Sequence, residues 1–262
     1  MIDWIEELPV GWMAVLVFGL TYAAAGALYL IARVLGRTTD GRAACTISPG
    51  MLSPLGITFG LLVVFTGAQV WGEVDRARAA VHHEASALRT VVMLAGLFPD
   101  APAERLRTLV ARHIDRAHAV EWPAMASRRA TLTMIPPELA EALAVAVALD
   151  PSGPGQVAAQ RELVTALKGA LDARRERILV SRSHVNGIKW SGIILQLLCT
   201  LAAIALVHAD NRPAGRVALG LFATAAAVCI LLLLAHDEPF TGSASIPPTP
   251  LLEVRPETRG GP

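Results

Sequence analysis

Four apolar segments, each long enough to cross a lipid bilayer and free of Asp, Glu, Lys, Arg and His, constrain this chain more than any other sequence feature. They cover residues 10–32, 51–71, 190–207 and 217–235. A helix needs about 20 predominantly apolar residues to span a hydrocarbon core of about 30 Å. Aromatic residues that anchor helices among lipid headgroups lie near the segment ends, at Trp12, Tyr29, Trp71 and Trp190. The sequence therefore predicts an integral membrane protein with four transmembrane helices.

Composition narrows the possible functions. Hydrophobic residues make up 53% of the chain and charged residues 17%, whereas a soluble domain carries about 25% charged residues. The net charge of +1 argues against a surface for nucleic acid. Proton-coupled transporters place ionisable residues near the bilayer midplane, and the four segments have none there. We therefore do not expect a pump.

The segment between the second and third spans has the periodicity of helices. Apolar or small residues recur every seven positions from the second span onward, at Gly60, Gly67, Val74, Val81, Leu88 and Ala95. A second series leads toward the third span, at Val157, Val164, Leu171, Ile178 and Val185. Such repeats favour packed helices that continue out of the membrane.

These patterns predict an all-α fold with four parts. An N-terminal membrane half occupies 1–71, and an extramembrane helical bundle, continuous with the second and third spans, occupies 72–189. A C-terminal membrane half occupies 190–242, and an irregular tail rich in Pro, Thr and Gly occupies 243–262. Within the bundle, Leu106, Leu109, Val110, Ile114 and Ala117 fall on one helical face and are expected to be buried.

Two features of the second span are candidates for function. A polar stripe follows one helical face, at Thr58, Leu62, Thr66, Gln69 and Glu73. It either faces a pore or consists of hydroxyls that bond to their own helix. Three small residues, Gly56, Gly60 and Gly67, form a face suited to close helix packing.

A group of basic residues precedes the third span, at Arg174, Arg175, Arg177, Arg182 and Lys189. This group has two interpretations. It either draws anions toward a vestibule or forms a basic collar on lipid headgroups.

Nothing in the sequence indicates an enzyme, a metal site or a cofactor. The histidines His82, His83, His113 and His118 lack the spacing that would put two of them on one helical face. Cys45, Cys199 and Cys229 are scattered and form no disulfide framework. No phosphate-binding loop or nucleophile–base set is recognisable.

Several short sequence motifs resemble those of a bacterial family described as having a bestrophin-like domain. They are Leu55-Gly56-Ile57-x-Phe59-Gly60-Leu61-Leu62 running to Gln69-Val70-Trp71, then Ala79-Ala80-Val81-x-x-Glu84-Ala85, then Glu121-Trp122-Pro123-x-Met125, and Asp237-x-Pro239-Phe240-x-Gly242. The order of two spans, a helical domain and two more spans also resembles bestrophins. Their acidic calcium cluster has no counterpart, because Asp237 and Glu238 stand alone. Calcium gating is therefore not expected.

The resemblance implies a homo-oligomer, pentameric in bestrophins, in which the second span lines a central ion pathway. It implies that Phe59, Leu62 or Val63, and Thr66 narrow that pathway as a hydrophobic constriction. Within the bundle we interpret Glu84 as the partner of an arginine and Trp122-Pro123 as a helix end.

The expected function is therefore an oligomeric channel that passes small anions, with the lipid bilayer and further copies of the chain as partners. The alternative is a non-conducting membrane scaffold or signalling protein whose helical domain binds a partner.

The expected location is the bacterial inner membrane, but two signals disagree on sidedness. Arg33, Arg37, Arg42, Arg212 and Arg216 lie in the short loops and place those loops in the cytoplasm by the positive-inside rule. The bestrophin resemblance implies instead that the helical domain is cytoplasmic, and we favour this orientation.

Overall fold

The computed structural model describes residues 9–35, 48–133, 135–183, 185–242 and 245–257, and across these ranges the regular structure is helical without a strand. The α-helices are α1 Val10–Leu35, α2 Leu52–Ala95, α3 Asp100–Arg116, α4 Trp122–Ala126, α5 Pro137–Val147, α6 Pro154–Val180, α7 Gly187–Val207, α8 Arg212–His236 and α9 Thr249–Leu252. A π-helical turn, Ala117–Glu121, joins α3 to α4, and a 3₁₀ turn, Pro49–Met51, precedes α2. Cys45, Arg37 and Arg42 lie outside the described residues.

Four of these helices are long and apolar enough to cross a membrane, as predicted. Helices α1, α7 and α8 correspond to the first, third and fourth apolar segments, and the second segment forms the first part of α2. The starts of α7 and α8 are capped. The side-chain oxygens of Asn186 and Asn211 accept hydrogen bonds from the N–H groups of Ile188 and Ala214.

The chain divides into two compact units. We call Met1–Gly72 with His184–Glu238 the membrane unit, and Glu73–Ser183 with Pro239–Pro262 the helical unit. In the membrane unit α8 packs against α1 and α7, and α1 also packs against α7. Small residues of α8 allow close approach, since Ala223 and Ala227 are fully buried. A hydrogen bond of 2.7 Å between the hydroxyls of Tyr22 and Thr224 joins α1 to α8.

In the helical unit α3 packs against α5, and α5 packs against α6. The predicted face of α3 is buried. The residues of the first sevenfold series that belong to this unit are also buried: Val74, Val81, Leu88 and Ala95. Helix α2 ends at Ala95, and α3 begins at Asp100 directly after Pro99. Proline fixes its own φ and is tolerated only at the start of a helix, so the sequence determines this break.

Two expectations for the bundle ends were wrong. The last bundle helix does not continue into the third span, because α6 ends at Val180 and α7 begins at Gly187. Asn186 caps a new helix there, and the Val185 N–H donates to Asp237 Oδ1 at 2.9 Å instead of to a helical carbonyl. The expected irregular tail includes α9, and Leu251 within it is buried in the core of the helical unit.

Candidate ion pathway and buried charge cluster

The polar stripe predicted along the second span divides into exposed and buried positions. Thr58 and Leu62 are exposed on the chain, whereas Thr66 and Glu73 are buried. The Thr58 hydroxyl donates to the Pro54 carbonyl of its own helix at 2.8 Å, as the alternative interpretation of the stripe requires. Glu73 accepts a hydrogen bond of 2.6 Å from Arg76, so its charge is locally neutralised. Thr66 and Glu73 therefore contribute little to the exposed surface of the helix.

The expectation that Phe59 forms a constriction conflicts with its position. Phe59 is 6% exposed, and its ring centroid lies 5.5 Å from that of Phe222 in α8. Val63 is half-buried against the same core. These side chains pack inside their own chain, because their helical positions point toward α8 and not outward.

Phe65 occupies the outward position that the sequence analysis missed. Phe65 is 71% exposed. It follows Thr58 and Leu62 and precedes Gln69 at the spacing i, i+4, i+7 and i+11, which puts all four residues on one helical face. We call this set the outer face of α2. The same spacing is present in the sequence, but the predicted stripe passes through Thr66 instead of Phe65.

A basic side chain lies beside the outer face. The Lys189 ammonium donates a hydrogen bond to the Gln69 side-chain carbonyl, and both residues belong to the membrane unit. Lys189 was predicted as part of the basic group before the third span. Through this contact, Lys189 lies next to a residue of the outer face.

The three glycines of the second span have different surroundings. A Cβ atom at Gly67 would lie 3.1 Å from the Trp71 ring and 3.6 Å from Leu233 Cδ2, so a larger residue there would press on side chains of its own chain. At Gly56 and Gly60 a Cβ would meet nothing within 4 Å. The prediction that these two residues pack helices therefore finds no partner among the residues that the structure describes.

A network of charged side chains is buried in the helical unit, with Arg177 at its centre. Arg177 Nε donates to Glu84 Oε2 at 2.8 Å, and its Nη2 donates to Glu84 Oε1 at 3.2 Å and to Glu121 Oε2 at 2.9 Å. Arg174 Nε donates to Glu121 Oε1 at 2.8 Å. His113 Nε2 lies 2.9 Å from Glu84 Oε1. We call these five residues the charge cluster.

Apolar groups complete the surroundings of Arg177. Its guanidinium carbon lies 4.6 Å from the centroid of the Trp122 ring, a distance suited to a cation–π interaction. The Trp122 ring in turn meets Phe240 edge-on at 5.8 Å and donates its Nε1–H to the Ile246 carbonyl. Residues from three of the four motifs that resemble the family thus lie around one arginine.

The cluster confirms one prediction and corrects two. Glu84 pairs with an arginine, as expected. Arg174 and Arg177 do not belong to an exposed basic collar, because both are buried and paired with carboxylates. Trp122-Pro123 does not end a helix, since helical structure continues to Ala126.

Burial and ion pairing have opposite effects on the pKa values of Glu121 and Arg177 in the cluster. Burial raises the pKa of Glu121, but Arg177 and Arg174 outweigh burial and hold it below the ordinary value. Burial lowers the pKa of Arg177, but Glu84 and Glu121 outweigh it and raise the pKa. Glu121 and Arg177 therefore stay ionised near neutral pH, which suits a structural role better than proton transfer.

The helical fold, the outer face of α2 and the charge cluster together define a multi-pass α-helical membrane protein. A family model described as the bestrophin-like domain matches residues 18–251. The chain belongs to this family.

Solved structures share the fold. A point variant of a bacterial bestrophin homolog from Klebsiella pneumoniae aligns with a TM-score of 0.70 at 15% identity, covering 92% of this chain and 96% of that one. A point variant of a protein described as a membrane protein aligns with a TM-score of 0.66 at 15% identity, covering 89% and 95%. A comparison with curated proteins finds none that matches.

Proposed function

We propose that this protein is an oligomeric channel for small anions and that the outer face of α2 lines its pathway. The observation that carries the proposal is the family match over residues 18–251, together with a fold similar to that of a bacterial bestrophin homolog. Bestrophins, which the sequence resembles, are anion channels. The four membrane helices of one chain enclose no water-filled path, so conduction requires several copies around an axis.

The exposed surface of α2 supports this assembly. Besides the outer face, a second row of apolar side chains is exposed on the same helix at Ile57, Leu61, Val64 and Trp71. One row can face the axis while the other contacts a neighbouring copy or lipid. Gly56 and Gly60, which have open space above them, permit close approach of a neighbouring helix.

Within the proposed pathway, Phe65 is the constriction and Lys189 favours anions. An apolar ring at a narrow point resists wetting and closes a pathway without a charge barrier. The Lys189 ammonium beside Gln69 raises the local anion concentration next to the outer face. Glu73 is not part of this proposal because Arg76 neutralises it.

Reconstitution into a planar bilayer with asymmetric chloride tests the function. We expect a current whose reversal potential lies close to the equilibrium potential of chloride. We also expect the particles in detergent to have the mass of several chains. A monomeric particle would contradict the channel. A stable oligomer without current would favour a non-conducting scaffold.

The location proposed is the inner membrane, with the helical unit in the cytoplasm. Cysteines introduced at Ala101 in the helical unit and at Ala214 at the start of α8 test the orientation by labelling with an impermeant thiol reagent. We expect labelling of the Ala214→Cys variant in intact spheroplasts and of the Ala101→Cys variant only after lysis. The reverse pattern would place the helical unit outside.

A further inference from the structure

A pocket of about 230 Å³ in the helical unit lies beside the charge cluster. Three arginines from separate elements line it: Arg116 at the end of α3, Arg129 after α4, and Arg174 in α6. Glu121, Ala130 and Thr131 are also among its lining residues. The pocket is distinct from the proposed ion pathway, because all of its residues belong to the helical unit.

Two irregular backbone segments build the pocket. The π turn Ala117–Glu121 supplies Val120 and Glu121, and such single π turns occur frequently at functional sites. After α4, Arg128 has a φ of 55°, in the left-handed region that favours glycine. The following residues return to the helix end, where the N–H groups of Arg129 and Ala130 both donate to the Ala124 carbonyl. This strained turn directs the chain so that Arg129 and Thr131 line the pocket.

Positive charge is in excess at the pocket. Both oxygens of Glu121 are occupied by Arg174 and Arg177. Arg116 contacts Glu138 at 3.3 Å. Arg129, in contrast, makes no side-chain hydrogen bond or ion pair with any residue that the structure describes. Even with Glu84 and Glu138 counted, the arginines around the pocket and the cluster outnumber the carboxylates.

We propose that this pocket binds a phosphate group, with Arg129 as its principal ligand and Arg116 and Arg174 as flanking cations. A guanidinium offers a planar fork of N–H donors that matches two oxygens of a phosphate, and neighbouring arginines can engage the remaining oxygens. The Thr131 hydroxyl, which is 2.9 Å from that of Thr133, supplies a further donor. The phosphate belongs either to a small soluble molecule or to a lipid headgroup, and both present the same chemistry.

The test uses the full chain in detergent and two probes. Isothermal titration with pyrophosphate, in a buffer without phosphate, measures the soluble source. Lipid nanodiscs with and without phosphatidic acid, compared by melting temperature, measure the headgroup source. Chloride at matched ionic strength controls for screening, since a single chloride ion carries charge but not the several oxygens with which a phosphate can accept from three arginines at once. The variant is Arg129→Gln, and the matched control is Arg161→Gln, which removes an exposed arginine from α6 that does not line the pocket.

We expect saturable binding by the wild type, an affinity lower by about tenfold or more in Arg129→Gln, and no change in Arg161→Gln. Because Arg129 is exposed, the variant should keep the wild-type melting temperature without ligand. Stabilisation by phosphatidic acid alone, lost in Arg129→Gln, would assign the phosphate to a lipid. The proposal is overturned if neither probe acts on the wild type, or if the two variants weaken its effect equally.

Discussion

Arg177 and Glu84 are 93 residues apart in the chain, yet the two side chains, both 0% exposed, are joined by a hydrogen bond of 2.8 Å. Taking two charges out of water is costly, and their attraction compensates only when the geometry is good and the remaining donors and acceptors are satisfied. Here Glu121, His113 and the Trp122 ring supply the additional contacts. The pair joins α2 to α6 within the helical unit.

Replacement of Glu84 by Gln should destabilise the protein strongly. Loss of one partner of a buried pair typically costs about 3–5 kcal/mol, because the other charge stays buried without compensation. Asp75→Asn is the matched control on the same helix, since Asp75 pairs with Arg78 at the surface, where such pairs contribute about 0–1 kcal/mol. Denaturant titration of the solubilised protein measures both. Similar losses in the two variants would contradict the role given to the cluster.

Stability should fall in acid because of Glu121. Its pKa is lowered in the folded state from the ordinary value of 4.5. The contribution to the free energy of unfolding is therefore fully present above pH 4.5 and disappears as the pH falls through the lower, folded-state pKa. We would record melting temperatures from neutral pH to below pH 4.5. The melting temperature of Glu121→Gln should start lower than that of the wild type and decline less steeply as the pH falls. Parallel profiles would show that Glu121 does not contribute.

Two phenylalanines of one helix should respond in opposite ways. Phe65→Ala removes an exposed ring from the outer face, so we expect unchanged stability and a larger current in bilayer recordings. Phe59→Ala removes a buried ring that contacts Phe222, so we expect a loss of about 3–5 kcal/mol and no widening of the pathway. A larger current from Phe59→Ala alone would move the constriction to the other side of the helix.

Removal of the Lys189 charge should reduce the preference for anions. Gln at this position keeps a donor for Gln69 but no longer attracts anions. The reversal potential should shift toward cations, more at low ionic strength, where the screening length is about 30 Å at 0.01 M against about 10 Å at 0.1 M. Glu73→Gln should have little effect because Arg76 already neutralises that carboxylate. A larger shift from Glu73→Gln than from Lys189→Gln would reverse these assignments.

Glycine substitutions separate packing within a chain from packing between chains. Gly60→Leu meets no atom of its own chain near Cβ, so we expect a folded protein that has lost its oligomer. Gly67→Leu collides with Trp71 and Leu233 and should destabilise the chain itself by about 1–3 kcal/mol. Light scattering after gel filtration and circular dichroism measure the two effects. A wild-type mass for Gly60→Leu would exclude this face from the oligomer contact.

Local patterns were sufficient to predict most of the helices. The apolar segments, the prolines at positions 99 and 137, and the apolar face of α3 each depend on neighbours within one or two turns. For this reason the starts of α3 directly after Pro99 and of α5 at Pro137 can be understood from the sequence alone. The break between α6 and α7 was missed because the sevenfold series continues through it to Val185, although Asn186 was a visible capping residue.

Tertiary pairing could not be predicted in the same way. Arg174 and Arg177 have the same local character as the exposed Arg175, and their burial depends on carboxylates at positions 84 and 121. Nothing within a few residues of Arg177 indicates these partners. The direction in which Phe59 points depends likewise on Phe222, which lies in another helix.

The π turn before Trp122 has a consequence for sequence comparison. Its N–H to carbonyl bond from Trp122 to Ala117 spans five residues, so the turn holds one residue more than an α-turn. Removal of that residue would rotate everything upstream by about 100° relative to Glu121 and Trp122, because an α-helix has about 3.6 residues per turn. Homologues that lack the extra residue should therefore show a one-residue gap at 117–121 in a correct alignment. Otherwise either His113 or Glu121, which both belong to the charge cluster, would be matched to a position on the wrong side of the helix.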